Sequence, residues 1–142
     1  MQVFFDTNVL LDALLVREPF VADAAYLLEA VEMGKLSGFM SATTVTDVHY
    51  LVSRQTKSLE TAIIIAVTRL LALFEICPVD REVLEQAIVL KLPDFEDAVQ
   101  VACAVSLGLE AITSRDIEGF AGSPIPVFLP GDLRIQLTQP QP

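Results

Sequence analysis

Four aspartates, Asp6, Asp47, Asp97 and Asp116, stand directly after β-rich runs or in the first turns of helical patterns. Asp6 follows Val3-Phe4-Phe5, and Asp116 lies three positions past Ala111-Ile112-Thr113. Asp47 comes three residues after Thr44, and Asp97 three after Asp94, which is capping-box spacing with Asp at the far end. Each acid therefore has an ordinary use, accepting hydrogen bonds from the free N–H groups of a helix start. Chemistry demands convergence. If the first and fourth strands are neighbours, Asp6 and Asp116 leave adjacent strand ends, and Asp47 and Asp97 can lean towards the same edge. Asp97 and Gln100 form a polar stripe among Phe95, Ala98, Val99, Val101 and Ala102. A carboxylate there is costly unless a cation or hydrogen-bond donors meet it. Gathered carboxylates raise one another's pKa values unless a metal neutralises them. Oxygen ligands without His or Cys select Mg²⁺ or Mn²⁺ over zinc.

The surrounding pattern supplies the elements. Short apolar runs at Val3–Phe5, Gly38–Met40, Ile76–Val79, Ala111–Thr113 and Val127–Leu129 read as strands. Helical periodicity runs through Leu10 to Leu15, Ala22 to Met33, Thr43 to Lys57, Leu59 to Phe74, Arg81 to Leu90 and Asp94 to Leu107. Buried strands alternating with helices predict an α/β fold of three layers, α/β/α, with a short and mostly parallel central sheet. In such folds ligands gather at the carboxyl ends of the strands, where strand order reverses. A single domain over residues 1–135 and a flexible tail over 136–142 are expected.

Composition bounds the rest. The 142 residues are 53% hydrophobic and 20% charged, which excludes a disordered chain. No apolar run reaches the roughly 18 residues needed to span a bilayer. The N-terminus lacks the basic region and cleavage site of a signal peptide. Cys77 and Cys103 lie at no metal-ligand spacing and suit reduced core thiols. A cytoplasmic protein is the expectation. Nine Lys and Arg against 19 Asp and Glu give a net charge of −10, so a nucleic acid would be repelled unless metals or a local basic patch supplied cations.

The acids sit within longer motifs. Phe5-Asp6-Thr7-Asn8-Val9-Leu10-Leu11-Asp12 resembles the opening of a PIN domain, and Ser41 to Asp47 resembles its second motif. Asp94-Phe95-Glu96-Asp97-Ala98, followed by Val101 to Ala104, looks like the third. Ile112-Thr113-Ser114-Arg115-Asp116, followed by Phe120, looks like the fourth. Four motifs in order span Val3 to Leu129, and the branch they resemble is the bacterial one related to the toxin ribonucleases of toxin–antitoxin pairs. Asp47 stands where Glu is commoner, one methylene shorter, and Asp116 keeps a carboxylate where Asn is frequent. The resemblance implies a metal-dependent endoribonuclease with Asp6, Asp47, Asp97 and Asp116 as catalytic and Mg²⁺- or Mn²⁺-binding residues. It also implies an RNA substrate and a smaller antitoxin partner whose basic or amphipathic segment fits the acidic cleft.

Thr7, Asn8 and Thr113 are candidates for positioning substrate, as are Arg54, on the helical face of Asp47, and Arg115, beside Asp116. Turn chemistry accounts for the three small residues equally well. His49 lies on another helical face from Asp47 and reads as structural, Asp94 as a cap, Glu96 as a solvated or supporting acid, and Asp12 as a helix residue. The helix Ala62–Phe74 is too apolar to be covered within one subunit, which predicts a homodimer. Two other readings fit parts of the pattern. One is a non-catalytic domain of this fold that binds RNA or protein. The other is a phosphatase or phosphotransfer domain of the aspartyl type, and for phosphotransfer Asp80 is the lone acceptor after the third strand.

Overall fold

The computed structural model describes residues 1–140. Five parallel strands form one sheet in the order β3-β2-β1-β4-β5, with β1 Gln2–Phe5, β2 Ser37–Ser41, β3 Glu75–Cys77, β4 Ala111–Thr113 and β5 Val127–Phe128. The helices are α1 Thr7–Leu14, α2 Val21–Glu32, α3 Ala42–Thr56, α4 Leu59–Thr61, α5 Thr68–Leu73, α6 Arg81–Leu90, α7 Phe95–Ser106 and α8 Pro130–Thr138. Alternation along β1 explains the layering, because successive side chains leave opposite faces of a strand. Val3 and Phe5 enter one core with Leu10, Leu27, Val48, Leu70 and Leu133, drawn from α1, α2, α3, α5 and α8. Phe4 and Ile112 enter the other, against Val83 and Ala87 of α6 and the apolar face of α7. The expected three-layer α/β/α fold is the one found.

Several boundaries differ from the sequence expectation. Ser41, not Thr44, caps α3, its Oγ accepting from the Thr44 N–H at 3.2 Å. The helix therefore begins at Ala42, and Asp47 falls in its second turn, outside any capping box. The Leu59–Phe74 segment is no uniform helix: α4 passes through a π-helical stretch, Ala62–Val67, into α5. Nor is it central. Ala62, Ala66 and Leu70 are buried, while Leu59, Ile63, Ile64, Ile65 and Leu71 remain exposed. At the C-terminus α8 carries order through Thr138, so residues 136–138 belong to a helix rather than a tail. Residues 141 and 142, the end of that expected tail, lie outside the described residues.

Asp80 caps α6, its Oδ1 accepting from the Val83 N–H at 3.0 Å, which gives the phosphotransfer candidate a structural role. Cys77 and Cys103 are both free and buried.

One close approach holds β2 in place. A Cβ on Gly38 would meet the Phe74 ring at 2.6 Å and Val31 Cγ2 at 3.0 Å. That ring is already stacked edge-on against Phe5, with centroids 5.0 Å apart. Gly38→Ala should therefore overpack this core and lower stability by about 1–3 kcal/mol. A reduced urea midpoint with unchanged slope is the expected observation.

Candidate active site

The sheet positions the site before any side chain does. Strand order reverses between β1 and β4, which pair in parallel with Phe5 opposite Thr113, so the residues after each emerge side by side. Asp6 N–H continues the ladder to the Thr113 carbonyl at 3.0 Å. Asp6 occupies the N-cap position of α1 but makes no side-chain capping bond. Its carboxylate instead accepts from Gln100 Nε2 of α7 at 3.0 Å and from Ser114 Oγ at 2.7 Å. Asp6 is 6% exposed, so this buried carboxylate is held by two donors and by no cation among the described residues.

α7 delivers the next acids. Asp94 caps it, its Oδ1 accepting from the Asp97 N–H at 3.0 Å, and this fixes the first turn that carries Glu96 and Asp97. Asp116 Oδ1 accepts from the Gly119 N–H at 3.0 Å and closes a short 3₁₀ turn, Glu118–Phe120. Gly119 lies close against both acids: a Cβ would stand 2.5 Å from Asp116 Oδ2 and 2.8 Å from Asp97 Oδ2. These two carboxylates therefore flank a single point. Asp6, Asn8, Asp97, Gln100 and Asp116 line one open cleft of about 550 Å³, together with Thr7, Leu11, Arg17, Pro93, Asp94, Glu96 and Gly119.

The acids repel one another. Burial first, then the charges of Asp6, Asp94 and Asp116, push the Asp97 carboxyl from its ordinary 3.8 up to about 6. A hydrogen bond with Asp47, followed by burial and the charges of Asp47, Asp94 and Asp6, pushes Glu96 from 4.5 up to about 7. Glu96 is thus the partner of Asp47 rather than a merely solvated acid. Asp47 reaches the cluster through it, at the border of the cleft and not on its lining.

The lining fits a divalent cation in a particular way. Among the described residues, no three His, Cys, Asp or Glu side chains form a closed ligand set. The donors are all oxygens around an open cleft, which suits a hard cation that keeps several of its waters. Gln100 Oε1 supports the same fit: it is buried and accepts no hydrogen bond, beside the bond that its amide nitrogen gives Asp6. An orphaned acceptor among carboxylates is matched by a donor such as the water of a hydrated ion.

The remaining candidates are placed unevenly. Thr7 and Asn8 line the cleft; Thr7 Oγ1 donates to Thr44 Oγ1 at 3.3 Å, and Asn8 Oδ1 accepts from the Arg115 N–H at 3.4 Å. Thr113 is fully buried, and its hydroxyl is taken by the Phe128 carbonyl at 3.1 Å, so it faces β5. Arg54 donates to Tyr50 Oη at 3.0 Å on the exposed side of α3, away from the cleft lining. Arg115 points back into the protein. Its Nε and Nη2 meet the Asp12 carboxylate at 2.5 and 3.3 Å, and its guanidinium lies 4.0 Å over the Phe20 ring. Asp12, which reads from sequence as a plain helix residue, is fully buried and anchors this group. His49 is half-buried on α3. Sequence reasoning missed Ser114, the partner of Asp6, and Arg17 on the cleft wall. Gln100 showed itself only as part of a polar stripe.

A family model described as PIN domain matches residues 2–118. The chain belongs to the PIN-domain family. Solved structures resemble this PIN domain over nearly its whole length. VapBC2 from Rickettsia felis, bound to a DNA fragment from its promoter, is 15% identical with a TM-score of 0.69, covering 91% of this chain and 98% of that one. A toxin–antitoxin complex from Klebsiella pneumoniae is 24% identical with a TM-score of 0.66, covering 90% and 97%. VapC20 from Mycobacterium tuberculosis, a sarcin-ricin loop cleaving toxin, is 18% identical with a TM-score of 0.62, covering 78% and 86%. At these identities the likeness carries the fold. No curated protein matches the sequence. No helix of the described residues is long and apolar enough to cross a membrane.

The raised pKa values fix the sign of a pH effect. A carboxyl whose folded pKa exceeds its unfolded one favours folding while protonated, and that contribution is lost as pH rises through the folded value. Between pH 4 and 8, in EDTA, Asp97 and Glu96 should therefore make the PIN domain progressively less stable. Asp97→Asn and Glu96→Gln should flatten the pH profile of Tm, and a profile parallel to wild type would show that no such repulsion exists.

Proposed function

We propose that the cleft is the active centre of a divalent-cation-dependent endoribonuclease. The observation that carries this reading is Asp6: a buried carboxylate held only by neutral donors, beside an unpaired Gln100 Oε1 and the paired oxygens of Asp97 and Asp116. Such a concentration of negative charge is unfavourable for folding and is relieved by Mg²⁺ or Mn²⁺. Asp6, Asp97 and Asp116 would hold the ion, with Asp47 acting through Glu96. Bound there, the ion lowers the pKa of water and offsets charge on a phosphodiester.

The chain's own residues supply the rest. Ser114 and Gln100 hold Asp6 in its orientation. Glu96, held near neutrality by Asp47, is suited to accept or return a proton at the cleft's edge. Thr7 and Asn8 offer short polar groups to a phosphate or its waters. The similarity to a toxin–antitoxin complex supports one further part of the reading, and the exposed surface another. The acidic cleft favours an antitoxin whose basic segment enters it. The exposed face of Leu59, Ile63, Ile64, Ile65 and Leu71 favours a second copy of the chain as its cover.

The decisive experiment separates the site from its substrate. A ligand that binds only the folded state stabilises it by mass action, about 2.7 kcal/mol at a hundredfold excess over Kd. Mn²⁺ should therefore raise the Tm of wild type by several degrees, more at pH 8 than at pH 5, and leave Asp97→Asn nearly unmoved. Wild type should then cleave members of a total-RNA pool in Mn²⁺, and Asp6→Asn and Asp116→Asn should each lose roughly a hundredfold or more in rate. Metal binding without cleavage of any RNA would favour the interaction-domain reading. Absence of both would remove the nuclease. Light scattering at micromolar concentration should give the mass of a dimer, and a monomer there would leave the apolar face to another partner.

A further inference from the structure

An acidic cleft that receives RNA needs cations of its own, because a polyanion meets the same field that gathers the metal. Among the described residues, Arg17 is the only Lys, Arg or His that lines the cleft. Its placement is built rather than incidental. Val16, just before it, takes a left-handed conformation with φ 53°, which costs a β-branched residue free energy and persists only where surrounding contacts enforce it. The enforcing contacts are local: Leu15 N–H to the Leu11 carbonyl at 2.8 Å and Arg17 N–H to the Asp12 carbonyl at 3.0 Å. The turn carries the chain off α1 and brings the Arg17 side chain back along it to the cleft.

Beneath it, one carboxylate serves two guanidiniums. Asp12 is fully buried and binds Arg115 through both oxygens. Arg17 Nη1 stands 3.9 Å from Asp12 Oδ1, beyond hydrogen-bonding reach, and its side chain is 39% exposed. Two positive charges against one negative leave a net positive charge on this wall. Arg115 is fixed by Asp12 and by the Phe20 ring, whereas the Arg17 guanidinium makes no hydrogen bond among the described residues and keeps its donors for a ligand. Planar guanidinium donors match phosphate oxygens, and contacts of this kind set the register of a nucleic-acid strand.

We propose that Arg17 binds a backbone phosphate of the RNA strand that enters the cleft, with Asp12 as the buried counter-ion that aims it. Arg115, the cation nearest the acids in sequence, is the structural member of the trio. The inference rests on the nuclease reading above and names a substrate contact for the same site.

The test uses full-length protein carrying Asp116→Asn to slow cleavage, a 5′-labelled mixed-sequence RNA of 12 nucleotides, Mn²⁺, and fluorescence anisotropy over a KCl series. Adding Arg17→Gln should weaken binding roughly tenfold or more. It should also lower the salt slope by about 0.7, the loss of one phosphate contact on a single strand. Arg17→Lys should keep the slope, and Arg54→Gln should keep both slope and affinity. A merely structural Arg17 would lower Tm and leave the slope alone, and that result overturns the proposal. So does a parent protein that binds no RNA. The Mn²⁺ shift in Tm tells the two readings apart: if it survives while Arg17→Gln binds like its parent, only the Arg17 assignment fails. If wild type shows neither Mn²⁺ stabilisation nor RNA binding, the nuclease reading fails with it.

Discussion

Asp6 accepts one hydrogen bond from Gln100 and one from Ser114, and through them a single buried carboxylate joins the end of β1, the end of β4 and the body of α7. The cost of burying such a group forces the connection. Without donors the charge would be several kcal/mol out of place, so helix, strand end and loop must each bring a polar atom to the same spot. The parallel register of β1 and β4 makes Ser114 available, and the three-residue spacing between Asp97 and Gln100 lets α7 present a donor and an acid on one face. Neither donor carries charge. The arrangement orients Asp6 without neutralising it, and this separates a site from an ordinary ion pair.

The neighbouring acids follow from the same restraint. Asp97 and Glu96 titrate above the usual carboxylate range because their surroundings hold more negative charge and less water than solution provides. A protein selected for stability alone would place Lys or Arg among them. Of the nearby guanidiniums, Arg115 is held by Asp12, and Arg17, 3.9 Å from the same carboxylate, reaches the cleft wall without a bond to its acids. Positive and negative groups lie within one wall yet remain apart. Stability is given up at the cleft and recovered in the two apolar cores behind it.

Much of this was legible in the sequence because it depends on order along the chain. Apolar runs interrupted by helical periodicity could only bury themselves as a covered parallel sheet, and acids following the first and fourth strands had to emerge at its switch point. What was not legible depends on where side chains turn in three dimensions. Thr113 is one residue from Ser114, but only Ser114 faces Asp6, while Thr113 turns to β5; strand alternation separates them once the exact strand end is known. Arg115 stands beside Asp116 in sequence and points the opposite way, because Asp12 is buried one and a half turns into α1 and has to be paired. Proximity in sequence favoured Arg115, and burial favoured Arg17. The Leu59–Phe74 segment shows another limit: its hydrophobicity suits either a central helix or an oligomer interface, and only the structure, which seats it through Ala62, Ala66 and Leu70, shows its isoleucines outside.

The topology also accounts for why the acids come from separate segments. The chain builds β1, β2 and β3 outward on one side, then returns to add β4 and β5 on the other. Only at the β1–β4 boundary do the connections diverge and leave a crevice at the carboxyl ends of the strands. Asp6 belongs to the first motif to emerge, and Asp97 and Asp116 arrive after some 90 and 110 further residues, so the cleft exists only when the second half of the sheet has docked on the first. At Gly119 the chain passes close to both acids: a methyl there would enter the space of Asp97 and Asp116, and their carboxylates would have to swing aside. The fold thus brings the acids together through backbone geometry, and their mutual repulsion is what the proposed cation would relieve.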